Sequence, residues 1–181
     1  MKLHVCCGDV YLKDYINIDI DGTYPTGDYN PNLTTIDEYY KQKFDKNIRQ
    51  RPIIVDKKMD ITQPWDFEDN SVNEILMICS IEHFTPEQAR HIFKEVYRVL
   101  IPGGIFAFDF PDLKRTVLDF EDDPELMMRL IYCTYKNEHS IHKYGYTRSL
   151  IMKFLGDKWQ RFIFGDVVKH DFPTQGVTAI K

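Results

Sequence analysis

The stretch Lys2-Leu3-His4-Val5-Cys6-Cys7-Gly8-Asp9-Val10, followed by Asn17-Ile18-Asp19-Ile20-Asp21, decides the fold. A short apolar run meets a glycine turn, and a second apolar run soon afterwards ends in an acid. The first two parallel strands of a nucleotide-binding α/β sheet have this form. The glycine lets backbone approach a ligand, and an acid at the second strand's tip accepts from both ribose hydroxyls. The connection is too short for the long first helix of a full dinucleotide fold. The Gly-x-Gly-x-x-Gly fingerprint is also incomplete, which argues against a nicotinamide-dependent oxidoreductase.

Working outward, residues 21–32 are rich in Gly, Pro, Asn and Asp and read as a loop, after which Thr34 or Thr35 caps a helix over 36–47. Ile53-Ile54-Val55 predicts a third strand leading to Asp60. Residues 73–81 predict a fourth, too continuously apolar to have one wet face. Thr85 caps, and Pro86 opens, a helix with Ile92, Val96, Val99 and Leu100 at helical spacing, stopped by Pro102-Gly103-Gly104. Residues 105–110 carry the aromatic and β-branched content of a buried fifth strand. Beyond an acidic turn, helices are expected over 126–135 and from Arg148 to Leu155, ended by Gly156. Residues 158–168 and 176–181 then close the sheet as an antiparallel pair.

Three downstream segments extend the opening: residues 59–72 with "DIT…F…DNSV", the apolar run ending in Glu82-His83-Phe84, and "EVYRVLIPGG" over 95–104. In this order the series resembles the class I S-adenosylmethionine-dependent methyltransferases, in particular their small single-domain branch. The expected fold class is α/β, a Rossmann-like doubly wound, mostly parallel seven-stranded sheet with an antiparallel last strand. The expected organisation is one domain over 1–181, with a substrate-cover segment at 111–147 and no further domain after the final strand.

Composition is ordinary for a soluble globular protein. Hydrophobic residues make up 43% and charged residues 28% of 181, enough for a full core. The formal charge of −5 argues against a nucleic-acid backbone as partner, although a local basic groove is compatible with it. Lys57-Lys58 reads as solvated surface. No apolar run reaches bilayer length, and His4 and Asp9 interrupt any signal-peptide core. The four cysteines lack paired metal spacing, so a reducing, cytoplasmic setting is expected, with the thiols as small core residues.

The resemblance implies S-adenosylmethionine as cofactor and assigns its site residue by residue. Gly8, with Cys6 and Cys7 before it, forms the first loop, where Cys6 replaces the family's earlier glycine. That side chain either narrows the pocket or packs in the core, and core packing is expected. Asp19, followed by Ile20, takes the ribose hydroxyls, with Asp21 as the neighbour able to substitute. Asp60 accepts from the adenine amino group while the Ile61 amide donates to the ring; an Asx turn is the other reading of Asp60. Cys79 and Ser80 offer backbone carbonyls to the cofactor's ammonium. Glu82-His83 resembles a family signature, with His83 read as structural.

Transfer from a sulfonium needs a base only when the nucleophile must lose a proton. Candidates are Asp109, Asp112, His139, His142, Tyr144 and Tyr146, with His142 first because imidazole titrates near neutrality. Helix capping or plain solvation are the other readings of His139 and His142. A metal site built on those two lacks a third evident ligand. The expected function is therefore methyl transfer to a small or medium acceptor through oxygen or nitrogen. A non-catalytic partner subunit or sensor with the same fold is the alternative, and the acceptor is not legible.

Overall fold

Parallel strands need crossover connections, and the apolar runs of this chain are spaced to supply them. The computed structural model describes residues 1–25, 52–135 and 137–181. Its strands are β1 (Lys2–Val5), β2 (Ile16–Asp19), β3 (Lys57–Lys58), β4 (Val72–Met77), β5 (Leu100–Pro111), β6 (Arg161–Phe164) and β7 (Thr174–Ile180). They form one seven-stranded sheet in the order β3-β2-β1-β4-β5-β7-β6. The first five run parallel, and β7 lies antiparallel to both β5 and β6. This is the expected mostly parallel Rossmann-like sheet with its last strand reversed. Strand order turns back between β1 and β4, which makes that crevice the place for a ligand.

Four helices are described: α1 (Pro86–Val99), α2 (Leu113–Asp119), α3 (Pro124–Tyr132) and α4 (Arg148–Leu155). Thr85 accepts from the Gln88 amide while the Gln88 side chain accepts from the Thr85 amide, a reciprocal capping box. The apolar face of α1 buries Ile92, Phe93, Val96 and Val99 with Phe106 and Phe108 of β5, and Ile151 and Leu155 of α4 belong to the same core. On the opposite sheet face Leu76 meets Val10, Leu12, Ile78 and Val168. Strand alternation explains the division, because Leu76 points away from its neighbours Ile75 and Met77.

The family strings are largely structural. Arg98 reaches Glu95 Oε2 at 2.7 Å, Asp69 Oδ1 at 2.8 Å, and the carbonyls of Phe67 and Trp65. Glu95 also accepts the Trp65 amide at 2.8 Å. "EVYRVL" and "DIT…F…DNSV" are thus two halves of one clamp. At this same C-terminal end of α1, Lys181 Nζ donates to the carbonyls of Tyr97 and Leu100, satisfying groups the helix leaves open.

Several boundaries differ from expectation. The third strand is Lys57–Lys58, and Ile54 makes only an isolated bridge to Thr23. The Asn17 and Asp19 carbonyls take the amides of Asp56 and Met59, so pairing begins later than apolar content suggested. Lys57 is accordingly a strand residue, paired with Asp66 at 2.9 Å and lying over the Phe67 ring. Helix α2 was not foreseen, and α3 starts earlier because Asp123 caps it ahead of Pro124. The helix expected over 36–47 lies outside the described residues.

Candidate active site

At the end of β1 the chain turns sharply, with φ of +52° at Cys6 and +54° at Gly8. Glycine adopts that conformation without strain, whereas cysteine does not. The space beside the Gly8 Cα is open, with no atom within 4 Å of where a Cβ would sit. The Gly8 amide donates to Asp19 Oδ2 at 2.9 Å, and the Ile20 amide to Oδ1 at 2.8 Å. Asp19 therefore stands at the tip of β2 facing the first loop. Ile20 beside it is 44% exposed, a large apolar side chain left at the strand tip. Asp21 instead accepts the Gly22 amide and closes a local turn.

Cys6 is half-buried against the main core, while Cys7 is buried. Burial, then Asp19, Cys7, Glu82 and Asp60, push the Cys6 thiol well above its ordinary value. No disulfide joins any of the four cysteines.

Asp60 forms the Asx turn that was its other reading. Its Oδ1 accepts the Thr62 amide at 2.9 Å and the Thr62 hydroxyl at 2.7 Å. Burial works to raise Asp60, but these bonds outweigh it and hold the carboxyl below its ordinary value. Ile61 is buried, and its carbonyl accepts from the Trp65 indole at 2.9 Å.

At the tip of β4, Cys79 adopts φ of +42° and its amide donates to Asp109 Oδ1 at 2.8 Å. Asp109 Oδ2 lies 2.9 Å from His170 Nε2, and the Cys79 sulfur lies 3.7 Å from the same nitrogen. Both oxygens of the buried Asp109 are thus engaged, tying β4, β5 and the approach to β7 together. His170 carried no sequence signal for this role. Ser80 turns its hydroxyl back onto the Ile78 carbonyl at 2.7 Å.

The other candidate bases separate by structure. Asp112 caps α2 through the Arg115 amide, and the Tyr146 hydroxyl donates to the Phe84 carbonyl at 2.8 Å. His139 is exposed beside Glu138, and Tyr144 is exposed against the Tyr146 ring. His142 differs. Its Nδ1 donates to the Ile131 carbonyl at 2.9 Å, leaving the lone pair on Nε2, 3.9 Å from Glu82 Oε1. Burial holds His142 below its ordinary value, so the ring is neutral at pH 7. His83 is drawn into the same group, its ring centroid 4.9 Å from that of His142. The amides of Lys143 and Tyr144 both donate to the Glu82 carbonyl, laying this part of the 111–147 segment over the tip of β4.

A separate recess opens at the same sheet edge, between α2, α4 and the start of β7. It is lined by Asp112, Arg115, Arg148, Asp166 and Gln175. Among the described residues no helix is long and apolar enough to cross a membrane.

Residues 4–108, more than half of the chain, match the profile of a family described as a methyltransferase domain. The structure of a SAM-dependent methyltransferase from Methanosarcina mazei is similar over 99% of this chain and 89% of its own, with 16% identity and a TM-score of 0.52. One from Archaeoglobus fulgidus is similar over 99% and 85%, with 12% identity and a TM-score of 0.55. Magnesium protoporphyrin IX methyltransferase from Synechocystis, solved with bound SAH, is similar over 100% and 74%, with 10% identity and a TM-score of 0.53. At such identities these structures speak for the fold. A comparison with curated proteins finds no match.

Proposed function

Since this chain belongs to the class I methyltransferase-domain family, we propose that it moves a methyl group from S-adenosylmethionine to oxygen or nitrogen of a small or medium acceptor. The observation that carries the reading is the Gly8–Asp19 pair, set beside open space next to the β1/β4 crevice. When bound, S-adenosylmethionine supplies a methyl group already activated by its sulfonium charge. Asp19 takes the ribose hydroxyls, and exposed Ile20 supports the adenine face. Asp60 and the Ile61 amide read the adenine edge. Cys6, Cys7 and Gly8 present loop backbone, and the Cys79 and Ser80 carbonyls accept from the ammonium.

Rate then comes mainly from holding the acceptor in line. His142, neutral and with its lone pair on Nε2, is the group proposed to take a proton from an acceptor that carries one. We read 1–181 as one catalytic domain, with residues 111–147 as the substrate cover, working in a reducing cytoplasmic setting where its four cysteines form no disulfide. Neither a membrane nor nucleic acid is needed as partner.

Calorimetric titration with S-adenosylmethionine, S-adenosylhomocysteine and NAD, followed by turnover against an acceptor panel, tests this. Binding of the first two and not NAD, with methylated product, is expected. Binding without turnover across the panel favours a partner subunit, and a preference for NAD overturns the reading.

A further inference from the structure

Glu82 lies in the 3-10 turn Ile81–His83 that follows β4, and it is only 3% exposed. Its Oε2 is buried without a hydrogen-bond partner. An unsatisfied buried carboxylate oxygen is costly and calls for a cation or a proton. Two histidines stand beside it. His83 donates Nδ1–H to the Ile141 carbonyl at 3.0 Å, and His142 donates its own to Ile131 at 2.9 Å. These bonds fix both rings in the tautomer with the lone pair on Nε2, the way metal-binding histidines are commonly oriented by their surroundings. Ligand atoms of Glu82, His83 and His142 lie within 4.8 Å of one another.

We propose that Glu82, His83 and His142 hold a divalent transition-metal ion of the zinc, manganese, iron or cobalt class, whose open positions take a hydroxyl or carboxylate oxygen of the acceptor. Two imidazoles and one carboxylate are the donor set such ions share, and hard cations such as calcium prefer all-oxygen sites. Bonds of about 2.0–2.2 Å bring neighbouring ligand atoms about 3–3.5 Å apart, a closure within reach of side-chain rotation. The backbone around them is fixed from three directions. Lys143 and Tyr144 amides hold the Glu82 carbonyl, the His142 amide donates to the Tyr132 carbonyl, and the His83 amide donates to the Ser80 carbonyl within the turn.

The place also suits the reaction. Glu82 stands two residues beyond Ser80, whose carbonyl is assigned to the cofactor's ammonium, on the connection leaving the tip of β4 beside β1. A second three-residue group among the described residues, Cys79, Asp109 and His170, carries no such inference, since both Asp109 oxygens are already bonded. Use of the ion in catalysis rests on the methyl-transfer reading above. With the ion in place the His142 lone pair is occupied. The acceptor hydroxyl then releases its proton to solvent on binding the ion, and the bare-imidazole role falls away.

The test titrates the chelator-treated full chain with Co²⁺, then Zn²⁺ and Mn²⁺. One equivalent of Co²⁺ with visible d–d absorption is expected, together with a higher melting temperature. Glu82→Gln and His142→Gln should each weaken Co²⁺ affinity by at least about tenfold, while His139→Ala leaves it unchanged. Paramagnetic broadening of the His83 and His142 ring signals in the unaltered protein gives the same answer without a variant. No saturable binding up to about 1 mM, or binding indifferent to both substitutions, overturns the proposal. Titration of the metal-free protein with S-adenosylhomocysteine separates the two readings, because its failure removes the methyl-transfer assignment and leaves the Co²⁺ result standing. Turnover that survives chelation restores His142 as a bare base and overturns the metal's part in catalysis.

Discussion

The Gly8 amide and the Asp19 carboxylate meet at 2.9 Å, joining the first loop directly to the tip of the second strand. One residue thus shapes the loop and presents the acid assigned to the ribose.

Two substitutions separate those duties. Asp19→Ala removes both, and S-adenosylhomocysteine affinity should fall by about 1.5–3 kcal/mol, as for hydrogen bonds to a charged group. Asp19→Asn keeps an oxygen for the Gly8 amide but loses the charge, and should fall between wild type and Asp19→Ala. Calorimetry reads both. Unchanged affinity in Asp19→Ala removes Asp19 from the site.

Cys6 offers an unusual ordering. Its positive φ favours glycine by about 1 kcal/mol or more, while its packing against the core favours the side chain. Cys6→Ala loses the sulfur contacts and keeps the backbone strain; Cys6→Gly loses the contacts and relieves it. The glycine variant should therefore be the more stable of the two, measured by chemical denaturation. An alanine variant more stable than the glycine one contradicts this account.

Much of the sheet was legible because buried parallel strands need continuous apolar runs, and residues 73–77 and 105–110 supply them. The third strand was misplaced because Lys57 and Lys58 carry no such signature. Their pairing is set by amides reaching the carbonyls of Asn17 and Asp19, which apolar content does not encode. The approach of Gly8 to Asp19 was foreshadowed by the short turn between two parallel strands, whereas Asp60 was singled out by the family resemblance. The association of Glu82 and His83 with His142 was not legible, because it depends on how residues 141–144 fold back over the tip of β4. The role of Asp109 was hidden likewise, since its partner His170 comes from a distant loop.

The Arg98–Glu95 clamp predicts a stability loss with no direct effect on the cofactor site. Arg98→Leu strands the buried Glu95 carboxylate and should cost about 3 kcal/mol, the low end for breaking a buried pair because Arg98 is partly exposed. Arg98 hydrogen bonding, against burial and helped by the Trp65 amide, holds Glu95 below its ordinary value. Its contribution is complete above the unfolded value of about 4.3 and fades as pH falls through the lower folded one. Urea unfolding at pH 7 and at pH 3 should show the wild-type advantage over Arg98→Leu shrinking at acid pH.

His4 predicts a second acid window. Buried within β1 and bonded to Asn17 of β2, it is pulled by desolvation down to about 4. The unfolded chain takes up this proton from about pH 6.5 downward while the folded chain does not. Stability should therefore decline from pH 6.5 to 4 and level off for this group below. His83, also held down to about 4 by burial, acts in the same direction. His4→Gln keeps a donor toward Asn17 and cannot ionise. Its stability should fall less steeply across that window, by up to about 1.4 kcal/mol per pH unit. An identical slope in wild type and variant shows that His4 does not titrate there.

The order β5-β7-β6 has a consequence for how the chain is assembled. β6 is made before β7, yet β7 is its partner in the sheet. Until β7 slides between its two neighbours, the outer edge of β5 and the backbone of β6 both stand unpaired, in the state most open to joining another molecule's strand. A folding intermediate complete through β5 is therefore sticky on that side, and docking of a single segment, Thr174–Ile180, closes both edges at once.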